Sequence, residues 1–403
     1  MQIIFASFQG IRKNNKAVGM AGIISNILKY INEEYKFFIS FKPLTNISKD
    51  ASRLSIFHNI FIAFTSKSYF FFKKIPFLNF NIGKIRFLQE LSYDFFLLFK
   101  FKAPIILITT AYIPRTLNKN RCLGGINIFI AGNAYDRNIN DILKKEEELF
   151  NIRIKDPYTY EPRLKNIDNH LKSVDSIITN SDIVFKSYKN YFPEKNIYLD
   201  KLDININKKN FINKKYKKGK HIVFCYIAHT VWLKGLIYLL HAWKKLNVNN
   251  ASLIIGGSRS KIIQKIINSN YSNVKNLKIV GFVPDLNRFY RTSDICIVPS
   301  LIDNHPTTIS EALYCGLPVI TTDGCGSSTL VKDGHNGFVV PPANSDAIAE
   351  KIKWFIDNQN QIEAMSQNAE ATMESLENSN QEQKLAEHIL TIIDELKKEK
   401  GIL

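Results

Sequence analysis

The sequence predicts an α/β protein built from two doubly wound domains. Three observations carry that expectation. Short apolar runs alternate with stretches of helical spacing along most of the chain, the order that builds parallel sheets covered by helices. A length of 403 residues exceeds what one hydrophobic core organises. Lys208 to Lys220 holds seven lysines in thirteen positions, a block that self-repels and stays solvated, as a linker does. The expected domains are therefore 1–207 and 221–375, with 376–403 as a terminal helix.

In the first domain Gln2 to Ser7 is an apolar opening strand. A basic loop leads to Gly19, after which Ile23, Ile24, Ile27, Leu28 and Ile31 form a helical stripe. Val18-Gly19-Met20 is thus a strand-to-helix turn, either simply tight or close enough to a phosphate to bind it. Ile105–Thr109, Ile126–Ala131 and Ser176–Thr179 read as strands, and 141–150, 161–171 and 182–191 as helices. Glu146, Glu147 and Glu148 are expected on a solvated helix face.

Residues 52–101 are rich in Phe, Ile and Lys, as in Phe70 to Phe77 and Phe95 to Phe101. Aromatic bodies beside basic heads suit an anionic membrane surface, and an aromatic core with solvated lysines is the alternative.

The second domain opens with a strand over 221–228, and His229 to Leu233 leads through Lys234-Gly235 into a helix at 236–246. Strands follow at 251–257 and 276–281, and Ile295 to Val298 is a buried strand stopped by Pro299. Beyond a polar loop, Pro306 suits a first helical position, and the helix from Thr307 to Cys315 stops at Gly316. Helices are expected at 345–357, 359–374 and 381–397, the last amphipathic through Leu385, Ile389, Ile392, Ile393 and Leu396.

The candidate site lies in the loop and helix after Ile295–Val298, because ligands of open α/β sheets sit at the carboxyl ends of strands. Asp303 and Glu311 flank that loop, eight positions apart, and their carboxylates accept paired hydrogen bonds from a sugar diol. Between them Asn304, His305, Pro306, Thr307 and Thr308 surround a helix N-terminus suited to a phosphate. An acidic pair that only favours the helix dipole, at about 0.3–1 kcal/mol each, is the alternative. Lys234 can neutralise a diphosphate: at 4 Å and an effective dielectric of about 20 the attraction is roughly 4 kcal/mol. His229 offers one hydrogen bond, or caps its strand.

Asp303, Pro306, Glu311, Ala312, Gly316, Pro318, Val319 and Ile320, followed by Gly326, Leu330, Val331, Asp333, Gly334, Gly337 and Phe338, resemble the signature of family-4 retaining glycosyltransferases (glycosyl transferases group 1). The first acid, usually Glu, is Asp303; Thr329 stands where Glu is common; Ala228-His229 stands where Gly-Arg precedes Lys-Gly; and Gly19 is all that remains of a Gly-Gly pair. The resemblance implies the GT-B fold, two Rossmann-like domains facing a cleft, with the terminal helix packed back on the first. It further implies a nucleotide-diphosphate sugar donor, transfer of a hexose with retention to a glycan or lipid-linked acceptor, and no metal or other cofactor. Lys234, His229 and Asp303 are then the catalytic candidates, while Glu311, Asp303, Asn304, His305, Pro306, Thr307, Thr308, Lys234 and Gly19 bind the donor. His58 and His170 do not sit where the family's N-terminal catalytic histidine would.

The net charge is 54 − 36 = +18, and residues 1–220 carry 37 − 18 = +19 of it. Such a field attracts acidic partners, here an anionic membrane surface or an acidic acceptor. Without a helix-turn-helix, zinc or RNA-binding signature, nucleic acid is not expected. Five cysteines without a CxxC pair point to a reducing compartment. Neither a secretory signal nor a spanning helix is legible, so the expected place is the cytoplasm, peripheral on the inner face of the cell membrane. A non-catalytic nucleotide-sugar binder and a nucleotide-sugar epimerase on the same fold are the competing functions.

Overall fold

A computed structural model describes residues 1–7, 28–31, 35–39, 51–53, 82–201, 221–376 and 381–402. Gly19, His58, the Phe70–Phe77 segment and the lysine block at 208–220 lie outside the described residues. The chain divides into two compact units, one of 1–202 with 380–403 and one of 203–379.

The first unit holds a parallel sheet in the order β3-β2-β1-β4-β5-β6-β7. Its strands are β1 (Gln2–Ser7), β2 (Tyr35–Ile39), β3 (Ala51–Arg53), β4 (Ile105–Thr109), β5 (Ile126–Ala131), β6 (Ser176–Thr179) and β7 (Asn196–Leu199). Because side chains alternate along a strand, each central strand supplies two cores. Ile3, Phe5, Ile106, Ile108 and Ile128 face one side and pack on Leu385, Ile389, Ile392 and Leu396 of the helix Gln381–Glu399. Ile4, Ala6, Leu107 and Phe129 face the other and pack on Tyr93, Leu117, Ile167 and Val184. These come from the helices Ile82–Leu97, Pro114–Cys122, Glu161–Lys172 and Asp182–Tyr191.

The second unit repeats the plan with β8 (Ile222–Ile227), β9 (Ala251–Gly256), β10 (Leu277–Gly281), β11 (Ile295–Val298), β12 (Val319–Thr322) and β13 (Gly337–Val340). Its order is β10-β9-β8-β11-β12-β13, all parallel. Strand order reverses between β8 and β11, and the crevice beyond the carboxyl ends of such a pair is where open α/β sheets hold ligands.

Several elements differ from the sequence reading. The helix expected from Asp141 begins at Asp136, inside a polar run with no apolar period. Glu146, expected in solvent, is buried, and Glu147 accepts the Ile154 N–H at 2.5 Å, so only part of that acidic run is a solvated face. Pro306 is the N-cap, one position outside the helix Thr307–Tyr314. In the stretch read as aromatic and basic, Tyr93, Leu97 and Phe101 are core, while Phe95 and Phe99 are exposed at 46% and 70%. No helix of the described residues is long and apolar enough to cross a membrane.

A buried ionic cluster ties the first unit's helices together. Arg163 donates from Nε to Glu90 at 3.0 Å and from Nη1 to Asp136 at 2.5 Å, and Tyr112 donates to Asp136 at 2.6 Å. His170 is fully buried against the Phe129 ring, its Nδ1 accepting the Ile113 N–H at 3.1 Å. Burial lowers its pKa to about 3, with the Lys195 charge adding to the effect.

Candidate functional site

The turn after β8 brings Lys234 to the switch point. Trp232–Lys234 is one 3-10 turn anchored by the buried Trp232 and Leu233. It closes on Gly235, whose φ of +65° suits glycine, and a Cβ there would lie 1.8 Å from the Pro299 carbonyl oxygen. The loops after β8 and β11 therefore run in backbone contact, and the Leu301 N–H donates to the Leu233 carbonyl at 2.8 Å. That contact leaves Lys234 Nζ paired with the Asp303 carboxylate, at side-chain exposures of 29% and 17%.

Asp303 is fixed on its other side by the turn after β12. Its N–H donates to the Gly324 carbonyl at 2.9 Å, and its carbonyl accepts the Gly326 N–H at 2.8 Å. Asn304 and Pro306 are buried and His305 is half-buried, with its Nδ1 3.0 Å from Ser327 Oγ. The helix starts at Thr307, which is exposed, and its N-cap residue, Pro306, has no side chain that can accept from its N–H groups. Thr308 turns inward, its hydroxyl 3.4 Å from the Ile227 carbonyl at the end of β8.

Glu311 sits one turn into that helix and accepts a 2.8 Å hydrogen bond from the Tyr290 hydroxyl. Burial, then the Glu311 charge, pushes the Tyr290 pKa well above its usual value, so Tyr290 is a permanent donor there. His229 is exposed at the end of β8, its Nδ1 2.5 Å from Ser258 Oγ.

The structure thus joins Lys234 to Asp303 directly and places His229, Asn304, His305, Pro306, Thr307, Thr308 and Glu311 on the segments following β8 and β11. Tyr290, Ser258 and Ser327 were missed in the sequence. Ser258 and Ser327 follow Gly257 and Gly326 in turns after strands, a local signal of a binding loop. Tyr290 carries no such signal, because its partner is 21 positions away. Among the described residues no cluster of three or more His, Cys, Asp or Glu side chains could hold a metal. The arrangement offers a cation beside a carboxylate, a helix N-terminus and a second carboxylate, which together fit an anionic, hydroxyl-bearing ligand.

The architecture is similar to that of HepE of Anabaena, solved in complex with UDP-glucose, at a TM-score of 0.58 and 13% identity over 97% of this chain and 99% of that one. The chain is 27% identical over 187 residues to the capsular polysaccharide biosynthesis glycosyltransferase CapM of Staphylococcus aureus, 44% of this chain and 48% of the relative. It is 27% identical over 151 residues to the Escherichia coli UDP-Gal:alpha-D-GlcNAc-diphosphoundecaprenol alpha-1,3-galactosyltransferase, 35% of this chain and 38% of the relative. The chain spans less than half the length of these two curated relatives. Residues 207–372 match the family described as glycosyl transferases group 1. Over that segment the chain is similar to members of the glycosyl transferases group 1 family, and its fold is of the GT-B type.

Proposed function

We propose that the protein is a retaining glycosyltransferase that moves a hexose from a nucleotide-diphosphate sugar to a glycan or lipid-linked acceptor of the cell surface. The observation that carries this reading is the Lys234–Asp303 pair at the switch point between β8 and β11, beside the start of the helix that bears Glu311. A diphosphate fits between Lys234 and the helix N-terminus, and a ribose diol fits Glu311. As the sugar leaves, charge grows on the diphosphate, and a preset cation stabilises that charge more than it stabilises the bound donor. Asp303 holds the Lys234 ammonium in place until the donor arrives, then accepts from the sugar hydroxyls. His229, oriented by Ser258, donates to the same phosphates.

Support for the donor comes from HepE, solved with UDP-glucose, and for the acceptor class from the diphosphoundecaprenol-directed enzyme and CapM. In this reading the protein works on the cytoplasmic face of a membrane. The exposed Phe95 and Phe99, 5.3 Å apart beside Lys100, and the +19 charge of residues 1–220 suit contact with anionic lipid.

The test is a thermal-shift screen over nucleoside diphosphates and their sugars, followed by donor hydrolysis and product stereochemistry. A ligand at 100 times its Kd stabilises by about 2.7 kcal/mol. Stabilisation by one nucleotide sugar with slow hydrolysis and a retained anomer is the expected result. Binding without turnover toward any acceptor makes the protein a binder, and release of an epimerised sugar makes it an epimerase.

A further inference from the structure

The first unit carries a polar cavity outside the residues discussed so far. It has a volume of about 610 Å³ and runs between the outer faces of the helices Pro114–Cys122 and Glu161–Lys172. Each helix presents a ladder at i, i+3 and i+6, the spacing that keeps side chains on one face. One ladder is Arg115, Asn118, Arg121 and the other Asn166, Asn169, Lys172. Both helices enter the strand that follows them, so they run side by side in one direction, and each ladder is about 9 Å long. Among the described residues the lining holds three cations and no carboxylate.

The groove is built. Ser173 Oγ donates to Asn118 Oδ1 at 2.6 Å and fixes the orientation of that amide. Arg121 Nη1 donates to the Lys172 carbonyl at 3.2 Å, closing one end and using one of five guanidinium donors. Asn166 Nδ2 is buried and has no hydrogen-bond partner among the described residues, which costs about 1–3 kcal/mol.

We propose that this groove binds an anionic oligosaccharide, a short chain of hydroxyl-bearing rings that carries phosphate or carboxylate. The amides of Asn118 and Asn169 donate to and accept from ring hydroxyls, Asn166 adds its amide oxygen as an acceptor, and Arg115, Arg121 and Lys172 pair with the oxyanions. Among the described residues the lining has no aromatic ring on which a base would stack, which disfavours single-stranded nucleic acid. This deepens the acceptor side of the proposed transfer: the groove would hold a stretch of an acidic glycan. Only that role rests on the transferase reading, since binding is measured without donor.

The experiment is calorimetric titration of the full chain with a sulfated tetrasaccharide, with neutral maltotetraose and with inorganic sulfate. The expected result is binding of the sulfated tetrasaccharide alone, weakened at least tenfold in the double variant Arg121→Glu, Lys172→Glu with an unchanged melting temperature. Asn166→Leu should weaken it several-fold without altering charge, and Glu311→Ala should leave it intact. Equal affinity in the groove variants overturns the proposal. So does an equal loss on reversing Lys144 and Lys145, exposed lysines of the helix Asp136–Phe150, because then the overall field and not the groove is the attraction. Binding of sulfate or maltotetraose as tight as the sulfated tetrasaccharide overturns the ligand class. Intact groove binding in a protein that ignores every nucleotide sugar would remove the transferase reading and leave the groove standing.

Discussion

Lys234 and Asp303 are 69 positions apart and form an ion pair across two loops whose backbones touch at Gly235 and Pro299. Neither residue is deep enough for the pair to matter much to folding, since partly exposed ion pairs contribute about 0–1 kcal/mol. Its value is positional. Lys234→Ala is expected to lower kcat by about 10²–10³, the cost of removing one preset donor from a developing anion, with a near-normal melting temperature. Wild-type kcat/KM at several donor concentrations would place the role elsewhere.

Glu311→Ala should weaken the cognate nucleoside diphosphate about tenfold or more, since hydrogen bonds to a charged group are worth about 1.5–3 kcal/mol. Tyr290→Phe removes only the bond that orients Glu311 and should cost less. Calorimetry on the two variants ranks them, and a larger loss for Tyr290→Phe would mean that Glu311 is merely its acceptor.

Gly235→Ala combines a left-handed backbone with a Cβ driven into the Pro299 carbonyl. It should lower both the melting temperature and kcat, because the loops must separate and Lys234 moves with them. Unchanged kinetics in this variant would show that the close approach of the loops is not what sets Lys234.

Arg163→Leu leaves the Glu90 and Asp136 carboxylates buried without their cation, a change expected to cost about 3–5 kcal/mol. Urea unfolding followed by a probe in the first unit reads the loss. Nucleotide binding by the second unit should persist at urea concentrations that unfold the first.

His170 has a folded-state pKa of about 3, below its unfolded value near 6.5. Between those values the unfolded chain binds the proton and the folded chain does not, so stability is full above about pH 6.5 and falls as pH drops toward 3. His170→Asn keeps an acceptor for the Ile113 N–H and removes the titration. The difference in melting temperature between wild type and this variant should therefore change from pH 7 to pH 4 and stay constant above pH 7.

The periodic parts of the fold were legible because apolar spacing dictates them: β1, β4, β5, β6 and the helix Asp182–Tyr191 fall where the pattern places them. The helix Ile82–Leu97 was not, because its apolar residues run nearly all the way round and only tertiary contact decides that Tyr93 is core and Phe95 is not. A polar first turn hid the start of the helix at Asp136, where a buried carboxylate takes part in the ionic cluster. In the site, Lys234, Asp303 and Glu311 could be picked out by residue type and position relative to strands. The ion pair between the first two, and the Tyr290 bond to the third, are products of chain crossing that no local window contains.

The helix Gln381–Glu399 covers one face of the sheet that begins at Gln2. During synthesis that face must therefore wait while residues 203–379 are made, about 9–35 s at roughly 5–20 residues per second. The second unit, continuous in sequence, can fold in that interval, whereas Ile3, Phe5, Ile106 and Ile108 lack the cover of that helix until it is made. A nascent chain stalled before residue 381 should thus bind hydrophobic-surface chaperones through its first domain, with the later-made domain already native.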